Sequence, residues 1–276
     1  MAISVNTVYQ TVLSILNKEQ RGYLTPDEFN KIATQVQLEI FEKYFEDLNQ
    51  QIRVPQTDLD YADRFLNLDE KIAIFKTFGE ATYKQPASPP VLPNGLTYFE
   101  LPTQDDYNTT NFVYKIGTVT YTNAYGETVE VQRLSKTEFY NIQRSPLTQA
   151  TESFPTYLYE GLPSGIQAGN PLDLEPYMAL YINPSTITSG VNVDYIRKPG
   201  QVIWGFTVGN RGQYLYNNAK FDPGTGIGSL NFELDASEQT TVILRVLAYA
   251  GIVIEDPSII QIASQQVQGR EANKKS

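Results

Sequence analysis

The stretch Leu16–Leu48, LNKEQRGYLTPDEFNKIATQVQLEIFEKYFEDL, decides how the rest of the chain is read. Gly22 breaks one helical pattern and Thr25 opens another. Pro26 stands at the first helical position, and Glu28 lies three residues past Thr25, within reach of the cap. This is a capping box, and proline suits the first turn because its missing N–H would have no helical partner there. Phe29, Ile32, Val36, Ile40, Tyr44 and Leu48 then recur every three or four residues, flanked by Ala33 and Phe41. Lys31, Gln35, Glu39, Glu42, Lys43 and Glu46 fall on the other side. The spacing predicts a long helix with one core-facing face, fading near Gln51 before Pro55.

Part of the stretch imitates a calcium loop. Asn17, Glu19, Arg21, Gly22, Leu24 and Glu28 fall on the first, third, fifth, sixth, eighth and twelfth positions of an EF-hand. Calcium takes roughly six to eight oxygen ligands, and Arg21 sets a cation where one of them belongs. Pro26 and Glu28 are accounted for by the helix start alone. The stretch reads as a helix–turn–helix corner, with no metal and no other cofactor expected.

Composition narrows the function. The 276 residues carry a net charge of −10, with 41% hydrophobic and 19% charged residues, as in an ordinary folded chain. The acidic balance argues against a nucleic-acid groove, which needs a clustered basic surface, but it suits a conduit that DNA passes through without specific binding. Nothing resembles a membrane span or a signal peptide, so no membrane partner is expected. Cysteine and histidine are both absent, which removes disulfides, thiolate chemistry and the commonest general base. The 19 Tyr and 13 Phe suit strands and protein–protein surfaces. A non-enzymatic protein is expected.

Working outward, Ser4 or Asn6 caps a first helix with an apolar face of Val8, Val12, Ile15 and Leu16. Asp58, Asp60 and Asp63 read as a solvated acidic linker rather than a metal site. Asn67 with Glu70 predicts a third helix through Ile72, Ile74, Phe75 and Phe78, closed by Gly79. Gln85–Gly95, QPASPPVLPNG, is a proline-rich connector. Strands are predicted at 96–101, 112–122 and 127–134, with Asn123–Gly126 as a hairpin turn, then at 157–159, 177–182, 191–196 and 202–208. Residues 135–144 read as a short helix. In 191–196, Val191, Val193 and Tyr195 share the face expected to be buried. GTGIG, at 224–228, has the wrong spacing and context for a dinucleotide loop and reads as a flexible loop before a short strand at Phe232 and Leu234. Asp235 with Glu238 opens a helix apolar nearly all round, Val242 to Ala250, ended by Gly251, as in a bundle or an interface. Asp256-Pro257 caps a last helix, and the tail GREANKKS is polar, a frayed end or an arm that orders on a partner.

The fold expected is therefore α+β. Residues 1–85 and 235–276 supply terminal helices that form one helical bundle, and residues 86–234 form a β-rich inserted domain. Pro199 ends the strand at Tyr195–Arg197 because it cannot donate to a ladder. Arg197 and Lys198 at that mouth are either interface residues that meet acidic groups of a neighbouring subunit or an ordinary charged strand end. In the tail, Arg270, Lys274 and Lys275 are the candidate docking charges. Trp204 reads as core ahead of interface.

Three segments carry a family resemblance: VNTVYQTVLSILNKEQRGYLTPDEFNKIATQVQLEIFEKYF near the start, VDYIRKPGQVIWGF in the centre and DASEQTTVILRVLAYAGIVIEDPSIIQIASQQVQ near the end. Together they resemble virion structural proteins of crAss-like and related short-tailed bacteriophages. The likeness covers both ends and little of residues 86–190. It implies a head-to-tail connector or adaptor protein that is assembled in the host cytoplasm. It also implies a dodecameric ring of identical chains in the virion, between portal and tail proteins. A tail-associated carbohydrate- or receptor-binding module is the alternative, favoured by the Tyr/Asn/Thr-rich β region. A carboxylate-based glycosidase has no paired-acid motif behind it.

Overall fold

The structure is a computed structural model that describes residues 2–18, 24–53, 59–84, 97–102, 113–161, 178–222, 224–253, 261–262 and 264–269. The chain opens with β1 (Ala2–Ile3), α1 (Val5–Lys18), α2 (Pro26–Arg53) and α3 (Leu59–Ala73). Strands follow: β2 (Lys76–Glu80), β3 (Thr82–Lys84), β4 (Tyr98–Glu100), β5 (Val113–Thr122), β6 (Thr128–Glu130) and β7 (Gln132–Arg133). Next come α4 (Lys136–Ile142), β8 (Thr156–Gly161), β9 (Met178–Asn183) and β10 (Val191–Arg197). The end holds β11 (Phe206–Val208), β12 (Tyr214–Tyr216), β13 (Phe232–Asp235), a 3-10 turn at Ala236–Glu238 and α5 (Gln239–Val253). The class is mixed α+β with several sheets. Two compact units divide the chain: Met1–Phe75, Asp105–Asn111 and Lys198–Ser276 form one, Lys76–Gln104 and Phe112–Arg197 the other.

In the first unit, α5 packs on both α1 and α2, and α3 packs on α2. Ser4, not Asn6, starts α1, its hydroxyl accepting from Thr7 N–H at 3.4 Å. Val5, Val8, Val12 and Leu16 are buried, while Ile15 at 37% exposure lies outside the stripe. The capping box of α2 is present in both directions. Thr25 N–H donates to Glu28 Oε2 at 2.9 Å, and Glu28 N–H donates to Thr25 Oγ1 at 3.4 Å. Phe29, Ala33, Val36, Ile40 and Tyr44 are buried along one face. The other EF-hand positions at 19–22 lie outside the described residues.

Three boundaries differ from the sequence reading. α3 begins at Leu59, so Asp60 and Asp63 sit in a helix rather than a linker, while Asp58 lies outside the described residues. That helix stops at Ala73, and Phe78 and Gly79 belong to β2. Pairing of β2 with β10 overrides the local helical spacing of Phe75 and Phe78, as tertiary context commonly does. α5 runs through Gly251 to Val253, because one glycine costs a helix only about 1 kcal/mol. The connector 85–95 lies outside the described residues, as does the Asp256-Pro257 cap.

The second unit is built on two sheets, ordered β2-β10-β5-β6 and β3-β4-β9-β8-β7. Val191, Val193, Tyr195 and Val119 of the first meet Phe99, Leu180, Ile182 and Tyr157 of the second in one buried cluster. The alternation expected in 191–196 is thus observed. The opposite face of the five-stranded sheet presents Tyr98, Leu158, Ala179 and Tyr181 to Phe139 of α4. β9 is therefore covered on both sides. α4 is held by its own capping box, Ser135 with Glu138. Asn123–Gly126 forms the β5–β6 turn. There Asn123 Oδ1 accepts from the N–H groups of Tyr125 and Glu127, and Gly126 takes a φ of +83°.

Candidate interaction site

The segment 200–204 precedes the hairpin β11–β12 and has almost no strand partner, one bridge from Ile203 to Leu230 aside. Side chains of α2 take a strand's place. Gln37 Nε2 donates to Gly200 O at 2.8 Å, and its Oε1 accepts from Glu233 N–H at 2.8 Å. Thr34 Oγ1 accepts from Val202 N–H at 3.0 Å. Asn30 Oδ1 accepts from Trp204 N–H at 2.7 Å. Residues 30, 34 and 37 share one helix face, and 200, 202 and 204 share one side of an extended chain. The spacings match, since four helical residues and two extended residues each rise roughly 6 Å.

Trp204, 4% exposed, is the anchor this ladder fixes. Its indole N–H donates to Asn6 Oδ1 at 3.1 Å. Its ring lies 4.5 Å from Tyr9, which in turn lies 4.7 Å from Phe29. On the other side it stacks on Tyr216 at 5.6 Å and Phe206 at 6.1 Å, and Phe206 meets Tyr214 edge-on at 4.9 Å. An aromatic series so runs from the α1–α2 core into the hairpin. Burial gives way to exposure along it: Tyr214, Leu215 and Val208 are 39%, 48% and 64% exposed. Beside the hairpin a cleft of about 840 Å³ opens between α2 and the loops, lined by Asn30, Lys31, Val202, Trp204, Phe206 and Ile227, among others.

The glycine loop lines this cleft, and its described residues are held by hydrogen bonds to Asp222. Asp222 N–H donates to Ile227 O at 2.9 Å, and Asp222 Oδ1 accepts from Gly224 N–H at 3.0 Å. Gly205 is required because a Cβ there would lie 1.9 Å from Gly228 O. Gly228 likewise serves close packing, since a Cβ there would lie 2.5 Å from Lys220 O, whereas Gly226 meets nothing within 4 Å and takes a φ of +66°.

The sequence-derived candidates are placed as follows. Arg197 is the last residue of β10, paired in register with Val113, and Lys198 is exposed just beyond it. Arg270, Lys274 and Lys275 lie outside the described residues. The ladder and the hairpin are what sequence reasoning missed.

Charged pairs in the first unit tie helices to one another. Lys71 Nζ sits 2.6 Å from the Glu238 carboxylate, which is 2% exposed. Arg245 of α5 meets Glu39 of α2 at 3.0 Å, and Tyr249 donates to the same carboxylate. Burial, and then the charges of Glu238 and Asp235, push the Tyr44 phenol well above its ordinary value. In the second unit, burial first and Glu160 next push Tyr181 up to about 12. Both phenols are therefore neutral at neutral pH. Among the described residues no group of three or more acids or other ligands could hold a metal, and no helix is long and apolar enough to cross a membrane. The surface so defined is an aromatic hairpin, partly exposed, on a helical support. No protein-family model matches the sequence, and no curated protein matches it either.

Proposed function

We propose that the chain is a non-enzymatic structural protein of a phage virion, which closes into a dodecameric ring in the head-to-tail connector and lets DNA pass. Its terminal helices form one bundle, with the β-rich unit inserted, and its neighbours are copies of itself and the portal and tail proteins. Three sequence segments support this by resemblance. The structural observation that carries it is the hairpin β11–β12, which displays Val208, Tyr214 and Leu215 to solvent while Trp204 roots it in the core. Apolar surface on a rigid support is the usual mark of a protein contact. A head-to-tail contact between identical chains gives a ring when its rotation closes. Negative-stain microscopy of the purified chain, alone and mixed with portal and tail proteins, tests the proposal. Rings that stack on the portal are expected. Monomers or trimers that bind glycans and ignore the portal would replace it with the receptor-binding reading.

A further inference from the structure

We propose that β2 pairs antiparallel with β2 of a second copy, centred on Phe78, and joins two sheets across a two-fold axis. Among the described strands β2 is the edge of the sheet β2-β10-β5-β6. Its side chains alternate: Lys76, Phe78 and Glu80 are exposed, Thr77 and Gly79 half-buried. Phe78 is 78% exposed on this edge, in register with Asp194 of β10. The inner side is closed, since a Cβ on Gly79 would come within 2.7 Å of Pro102. The strand is thus backed by protein and presents its other face outward.

The order Lys76-Thr77-Phe78-Gly79-Glu80 is charge-complementary to itself about its centre. In an antiparallel pair centred on Phe78, Lys76 of each copy faces Glu80 of the other, and the two phenylalanines lie side by side. Parallel pairing would oppose like charges. A one-residue slip would turn the exposed set to the wrong face.

The match extends inward across the sheet. Lys76 is in register with Ile196, and Ile196 with Lys115. Glu80 is in register with Asn192, Asn192 with Thr120, and Thr120 with Glu130. The outer face is basic along one row and acidic along another, with Phe78 and the exposed Asp194 between them. A two-fold rotation continues each basic row into the partner's acidic row. A hollow of about 540 Å³ lined by Lys76, Phe78, Lys115, Thr118, Asp194 and Ile196, among others, leaves room beside the ring.

Edge lysines usually guard against such pairing; here the same strand carries the acid that accepts it. One short strand pair falls far below the roughly 1,200 Å² of a stable interface, so the dimer is weak and concentration-dependent. A two-fold contact is not the head-to-tail contact of a single ring, and the inference does not rest on the ring reading.

Sedimentation equilibrium of the full chain at low salt, from micromolar to millimolar concentration, tests it. A monomer–dimer equilibrium that weakens with added salt is expected. Lys76→Glu and Glu80→Lys should each raise the dimer Kd about tenfold or more, from the usual size of cross-strand charge pairs. The double variant Lys76→Glu/Glu80→Lys should return near wild type, because it restores both pairs with the signs exchanged. Circular dichroism and Tm establish that each variant is folded. A double variant no tighter than the singles overturns the proposal, as does a wild type monomeric at every concentration. Ring-sized species without dimers overturn it while leaving the ring reading intact; dimers without rings do the reverse.

Discussion

Asn30 brackets the backbone of Trp204: its side-chain oxygen accepts the Trp204 N–H at 2.7 Å, and its side-chain nitrogen reaches the Trp204 carbonyl at 3.4 Å. A primary amide offers a donor and an acceptor side by side, as a strand neighbour would. With Thr34 and Gln37 it lets α2 act as a surrogate strand for residues 200–204. Buried backbone groups must find partners, and here a helix supplies them. The hairpin that follows is consequently aimed by α2.

Removing ladder rungs should destabilise the first unit unequally. Gln37 is fully buried and serves both Gly200 and Glu233, so Gln37→Ala strands two backbone groups at a cost of about 2–3 kcal/mol. Thr34→Ala leaves one donor to find water and should cost about 1 kcal/mol. Urea denaturation, with Trp204 fluorescence as the local probe, gives the ranking. Equal effects would show that solvent replaces the rungs.

The α2 cap should be metal-blind and acid-sensitive. Thr25→Ala is expected to cost about 1 kcal/mol, with or without calcium. The hydrogen bonds from Thr25 hold the Glu28 carboxyl below its ordinary value of 4.5. The folded state therefore binds this proton less readily than the unfolded chain. The cap contributes fully above the ordinary value, and that contribution is lost as pH falls through the lowered one. Thr25→Ala should flatten this part of the stability profile, measured by thermal melts in buffers across the acid range with and without calcium.

Legibility followed the range of the forces. α2 was readable because its cap and stripe are local, and β10 because its alternation reports burial directly. α3 and β2 were misread at their junction because Phe75 and Phe78 stand at helical spacing, whereas the force that makes β2 a strand comes from β10. The ladder was hidden for the same reason, since Asn30 lies 174 positions from Trp204. One signal was present: Asn30, Thr34 and Gln37 form an uncharged polar row beside the apolar stripe, where a solvated face would carry charge. The candidate charges of the tail came from composition alone, which cannot assign a contact.

The cluster under α5 predicts opposite effects from neighbouring residues. Lys71→Met removes the ammonium from an almost fully buried Glu238 and should cost about 3 kcal/mol. Tyr44 has a buried hydroxyl without a hydrogen-bond partner among the described residues, so Tyr44→Phe should be neutral or stabilising by about 1 kcal/mol. The ring, 5.8 Å from Lys71 Nζ, is retained. Because the folded phenol titrates above the ordinary value of 10.0, the unfolded chain ionises there first, and the fold loses stability as pH rises beyond that value. Tyr44→Phe should accordingly reduce the alkaline loss of stability, which chemical denaturation at rising pH would measure.

The hairpin separates folding from assembly. Val208 and Leu215 are 64% and 48% exposed, so Val208→Asp with Leu215→Asp removes little buried surface and should change Tm by no more than a few degrees. In a contact, the same two positions would place carboxylates against apolar surface, which costs several times more than in water. The double variant is expected to stay folded and monodisperse yet to fail in ring formation or in docking to portal and tail proteins. Trp204→Phe acts at the root instead: it keeps an aromatic ring but loses the indole donor to Asn6, and should lower stability and assembly together. Microscopy of assembled particles alongside thermal melts distinguishes the two outcomes. Normal rings from Val208→Asp/Leu215→Asp would show that assembly uses another surface and that the hairpin takes no part in it.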